Sequence, residues 1–125
     1  MKAPGFNKHP QHEVILEKTN DNVKVLAGEI TIAHTSTPIK VEESRHDNVF
    51  YLPLSDVNQD LLSPSETTTY CPFKGTARYW DVITPEGTIR DAIWNYSEPY
   101  DECKELTNFV SVYTDKLTLL VNDNE

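Results

Sequence analysis

Residues 67–99 read TTTYCPFKGTARYWDVITPEGTIRDAIWNYSEP. The stretch carries six of the chain's twelve aromatic residues, and Tyr100 follows just beyond it. Rings at this density, many with polar edges, either fill a core or wall a pocket. Tyr70, Tyr79, Trp80, Trp94 and Tyr96 are the candidates for such a wall. Two β-prone runs, 76–83 and 88–96, flank Pro85, Glu86 and Gly87, the composition of a hairpin turn. A loop of two or four residues puts Tyr79 on the face of Trp94, whereas three residues put Arg78 and Trp80 there. A one-residue slip turns every side chain over. In either register two neighbouring strands build one aromatic surface.

Upstream, residues 13–18 form a short apolar run, then TNDN at 19–22 makes a turn. Residues 23–27 and 29–34 read as strands bent at Gly28, with Ile30 and Ile32 on one face. Ile39 and Val41 alternate with Lys40 and Glu42 in a further strand, and 43–48 is a polar loop. Residues 48–54 are strongly β-prone, with Pro53 at an edge or at the end. Residues 55–62 predict one or two helical turns with Ser55 as N-cap, stopped by Ser63 and Pro64. Residues 67–71 are extended, and 72–75 turn. Downstream, Tyr100, Cys103 and Leu106 recur every third residue in a short helix. Residues 109–113 and 116–121 read as a last hairpin across Thr114 and Asp115.

Many short strands and no long helix predict an all-β fold, a two-sheet sandwich or open barrel. A single domain at 12–122 is expected after an N-terminal arm at 1–11, where Pro4, Gly5 and Pro10 break any periodicity. A polar tail occupies 123–125.

Eleven Lys and Arg against twenty Asp and Glu give a formal net charge of −9. That charge repels nucleic acid and anionic membranes, so neither is expected as the main partner. No apolar run reaches the length of a membrane span or a signal-peptide core, so a soluble, cytoplasmic protein is expected. Cys71 and Cys103 are too few for a disulfide framework, and His9, His12, His34 and His46 are scattered. No metal and no cofactor is therefore expected.

The run Cys71-Pro72-Phe73-Lys74-Gly75 is the most suggestive for chemistry. A thiol three residues from a lysine across a tight turn is a candidate nucleophile. No histidine lies nearby in sequence to act as base, and free cysteines are usually buried, so a structural role is favoured. Lys74 beside Gly75 suits an anion, but with four glycines in the chain there is no phosphate loop.

YLPLSDVNQDLL, TTTYCPFKGTARYW, AIWNYSEP and FVSVYTDKL resemble the motifs of the domain-of-unknown-function family numbered 427, over about residues 14–121. That family is similar in fold to the β-tent proteins, in which two antiparallel sheets meet at an angle over a pocket. The resemblance implies that Glu43, Tyr51, Tyr70, Cys71, Lys74, Trp80, Trp94 and Tyr96 match recurring positions around the cleft. Several β-tent relatives hold zinc with four cysteines, a pattern from which this chain departs. Some relatives bind cyclic imides or nucleosides between aromatic rings. The family is sometimes labelled nucleotidyltransferase-like, but no carboxylate pair here sits on a strand beside a Gly-Ser turn to hold magnesium.

The expected function is binding of a small planar or cyclic ligand in an aromatic-lined cleft. Trp80 and Trp94 would stack on it, and Glu43, Lys74 and hydroxyls from Tyr51, Tyr70 and Tyr96 would orient it. The first alternative is an enzyme using Cys71 or Lys74. The second is a structural or interaction domain, for instance a homodimer pairing exposed strand edges.

Overall fold

Residue-by-residue alternation in one strand sets the architecture. In β5 (Val49–Pro53), Val49 and Tyr51 join one hydrophobic cluster while Phe50 and Leu52 join another. Successive side chains of a strand point to opposite faces, so an apolar run of this kind belongs to a sheet covered on both sides. The same split recurs in β7 (Gly75–Thr84), where Ala77 and Tyr79 face one cluster and Trp80 and Val82 the other. It recurs again in β8 (Gly87–Asn95), between Ile93 and Trp94.

The computed structural model describes residues 1–124. The other strands are β1 (Val14–Lys18), β2 (Val23–Ala27), β3 (Ile30–Thr35), β4 (Ile39–Glu43), β6 (Leu62–Cys71), β9 (Phe109–Val112) and β10 (Thr118–Val121). Seven form one antiparallel sheet in the order β1-β4-β5-β9-β8-β7-β6, and three form a second, β10-β2-β3. The fold is all-β with two antiparallel sheets, as the sequence predicts. Val23, Val25, Ala27 and Ile32 of the small sheet pack against Leu52, Val82, Ile93 and Val110 of the large one. The opposite face of the large sheet carries Ile39, Val41, Tyr51, Tyr79 and Tyr96, with Cys103 and Leu106 from the segment after β8.

The β7–β8 hairpin closes with a two-residue loop, Thr84 pairing Gly87, whose φ of +132° requires glycine. A bulge around Asp91 (φ +49°) adds two residues to β8, so the faces are kept and Tyr79 pairs directly with Trp94. Ser65 and Thr67 hydroxyls hold the Asp91 carboxylate at 2.5 and 2.8 Å, which fixes that bulge.

Four expectations need correction. Residues 109–113 and 116–121 do not pair with each other. Strand β9 pairs with β5 and β8, and β10 crosses to the small sheet beside β2. The turn at Tyr113 lets the chain change sheets and bury Leu117 between them, at 3% exposure. The predicted helical turns near 55–62 are two 3-10 turns, Leu54–Asp56 and Gln59–Leu61, and Asn58 caps the second where Ser55 was the expected cap. Ser63 and Pro64 do not end an element but lie in β6, an edge strand whose ladder is interrupted between Pro64 and Thr68, where proline costs little. The short helix near 100–106 is a 3-10 turn, Asp101–Leu106, whose three-residue period buries both Cys103 and Leu106.

The N-terminal arm lies on the surface of the large sheet's outer core. Gly5 N donates to Pro72 O at 2.9 Å, and Phe6 meets Phe73 edge-on at 5.0 Å between centroids. A Cβ on Gly5 would come within 2.7 Å of the Phe73 ring and 2.9 Å of Pro72 O, so only glycine fits there. Among the described residues no helix is long and apolar enough to cross a membrane.

Candidate functional site

The outer core is not sealed. A cleft of about 280 Å³ opens beside it, and strand parity decides what lines it. Ile39, Val41 and Glu43 share one face of β4, so a pattern that begins apolar ends in a carboxylate at the rim. Strand β5 contributes Tyr51, β7 Tyr79, and β8 with the residue after it Trp94 and Tyr96. Tyr113, just past β9, closes the far wall, its ring stacked parallel to Tyr79 at 6.2 Å.

The ring edges are cross-bonded. Trp94 Nε1 donates to the Tyr51 hydroxyl at 3.2 Å, which leaves the Tyr51 proton to be given elsewhere. The Tyr79 hydroxyl lies 3.1 Å from that of Tyr113 and 2.9 Å from Thr69 Oγ1. Burial pushes the Tyr51 and Tyr96 hydroxyls well above their ordinary 10.0, and burial with the Tyr79 bond lifts Tyr113 to about 12. These tyrosines are therefore neutral at physiological pH, available as hydrogen-bond donors.

Glu43 is the polar centre. Its Oε1 accepts a hydrogen bond from Lys74 Nζ, and its Oε2 lies 2.8 Å from His12 Nε2 and 3.9 Å from His46 Nε2. Burial alone would raise the carboxyl, but the bonds from Lys74 and His12 and the nearby charges outweigh it. The group is held below its ordinary 4.5 and stays an anion. Lys74 reaches it from the turn between β6 and β7 and is 7% exposed, a lysine buried only because it is paired. Asp47 and His46 complete the mouth.

Of the residues singled out from the sequence, Glu43, Tyr51, Lys74, Trp94 and Tyr96 converge on this cleft. Trp80 does not. It faces the inner core on the opposite side of the sheet, so the two indoles cannot sandwich one ligand. Tyr70 is 58% exposed and bonds the Tyr100 hydroxyl at 2.8 Å, away from the cleft. Cys71 packs half-buried against the outer core but is not among the cleft's walls. Cys103 is fully buried, with its thiol directed to Phe73 O at 3.8 Å.

His12, His46, Asp47, Thr69 and Tyr113 belong to the site without having been singled out for it. Two of them are set by contacts far along the chain: His12 meets Glu43 across 31 residues, and Tyr113 meets Tyr79 across 34. The local signals are that His12 lies two residues before β1, the strand that pairs with β4, and that His46 lies three residues after Glu43. Among the described residues no three His, Cys, Asp or Glu side chains are grouped as metal ligands.

No curated protein matches this chain. The family described as a domain of unknown function (DUF427) matches residues 15–123, nearly the whole length, and takes in every cleft residue named above except His12. The chain is a member of the DUF427 family.

Proposed function

We propose that this protein binds a small planar or cyclic molecule in the Tyr51–Tyr79–Trp94–Tyr96 cleft. The observation that carries the reading is convergence: four strands and one turn deliver their rings and the Glu43–Lys74 pair to one open hollow. At about 280 Å³ the cleft is at the small end of ligand pockets, sized for one or two fused rings. The aromatic walls supply stacking area. The Tyr51 hydroxyl and the Lys74 ammonium supply donors, and Asp47 an acceptor, at the rim. Each well-placed ring contact contributes about 1 kcal/mol beyond area burial.

An enzymatic reading has less support. Neither cysteine lines the cleft, and the Lys74 ammonium is engaged by Glu43 in place of standing free as a nucleophile.

The test is a calorimetric titration with uridine and with succinimide, chosen as a planar nucleoside and a cyclic imide. Saturable heat that Trp94→Ala abolishes and Trp80→Phe leaves intact supports the reading. Absence of heat with both compounds, or equal loss in the two variants, removes it.

A further inference from the structure

A second hollow, of about 700 Å³, lies between the N-terminal arm and the β4–β5 turn. It meets the cleft at His12, which lines the hollow and bonds Glu43. Its charged and titratable walls are Lys8, His9, His12 and Arg45, and no carboxylate lines it. In a chain of net charge −9 this is an unusual local balance. Among the described residues, Lys8, His9 and Arg45 make no ion pair. Ser44 and Gln11 add uncharged hydrogen-bonding groups.

Both walls are held in place. His12 stacks on Phe73 at 4.0 Å, and the arm is tied by Gly5 N to Pro72 O. Opposite, Ser44 exchanges two bonds with Glu13, at 3.0 and 2.9 Å, and His46 N closes the turn onto Glu43 O. At the tip Arg45 adopts φ +66°, a conformation glycine or asparagine would take with less strain. The tight turn therefore holds a cation at its tip.

We propose that this hollow binds a small soluble anion bearing a phosphate or carboxylate group, at a site separate from the aromatic cleft. Arg45 and Lys8 grip the anion from opposite walls, and Ser44 and the arm's imidazoles add hydrogen bonds. A polyanion does not suit it, because the surrounding surface of a −9 protein repels extended negative charge.

Inorganic pyrophosphate titrated into the ¹⁵N-labelled protein, at low and at physiological ionic strength, tests this directly. Saturable amide shifts are expected at residues 8, 9, 11, 12 and 44–46, weakening as salt rises. Arg45→Asn, which suits the left-handed turn, and Lys8→Gln should each weaken binding by roughly tenfold or more. Both positions are exposed, so the variants keep the fold, and unchanged dispersion elsewhere in the spectrum verifies it. The Trp94 indole resonance reports the cleft independently, so failure here is distinguishable from failure of the ligand reading above. Absence of saturable shifts, or undiminished affinity in both variants, overturns the proposal. So does co-sedimentation with phosphatidylserine vesicles in place of pyrophosphate binding.

Discussion

Lys74→Met isolates the energetics of the site. The substitution keeps an unbranched stem and removes the ammonium, leaving the Glu43 carboxylate with His12 at 2.8 Å. Removing one partner of a buried ion pair costs about 3–5 kcal/mol, because the remaining charge stays desolvated. Here the side chains are 9% and 13% exposed, and one hydrogen-bond partner remains. The expected loss is therefore about 2–3 kcal/mol. For a domain of this size each kcal/mol moves Tm by about 4 °C, so calorimetry should show a drop of about 8–12 °C. Urea melts should give the same loss with an unchanged m-value. Adding Glu43→Gln removes the stranded charge, so the double variant should be more stable than Lys74→Met alone. A loss below about 1 kcal/mol, the range of a solvent-screened surface pair, would refute the reasoning. So would a double variant that simply sums the two single losses.

The Glu43 carboxyl is held below its ordinary 4.5 in the folded state, so in acid the unfolded chain binds more protons than the native one. Its stabilisation is complete above the ordinary carboxylate range and is lost as pH falls through the lowered value; Glu43→Gln should flatten the acid limb of a Tm–pH curve, and an unchanged limb counts against the pairing. Burial raises Tyr51 and Tyr96 above 10.0, so their contribution is complete below pH 10 and declines as pH climbs beyond it. Tyr51→Phe and Tyr96→Phe should each shallow that alkaline decline in chemical denaturation, and a profile flat to pH 11 in the parent protein would contradict the burial. Gly5→Ala forces a Cβ into Phe73 and Pro72 O, so the arm should detach and become cleavable by limited proteolysis while residues 14–121 keep their circular dichroism; an arm as resistant as the parent's would contradict the docking. Burial pushes the Cys103 thiol up to about 11, so iodoacetamide at neutral pH should label it only after unfolding, and labelling of the native protein would show that the outer core opens.

What the sequence revealed and what it hid follow from the range of the interactions. Alternation made β3 and β4 legible, because period two is a local property, and β-prone composition with its flanking turn residues did the same for β5, β7 and β8. The hairpin register stayed open between two faces, since it turns on whether Gly87 sits in the loop or pairs with Thr84. Trp80 looked equivalent to Trp94 until that register was fixed, after which one indole faces each core. Residues 109–113 and 116–121 read as a hairpin because their spacing permits one. Burying Leu117 between the sheets favoured crossing over, and no local pattern encodes that. His12 read only as one of four scattered histidines, because its partners Phe73 and Glu43 are far along the chain.

The Trp94 indole N–H, bonded to Tyr51 at the cleft wall, is the most direct reporter of whether the hollow is a binding site. Its ¹H–¹⁵N resonance should shift saturably as uridine or succinimide is added, while the Trp80 indole, on the opposite face of the sheet, stays where it is. A Trp94 resonance that does not move, or two indoles that move together, would show that these rings only fill the interior.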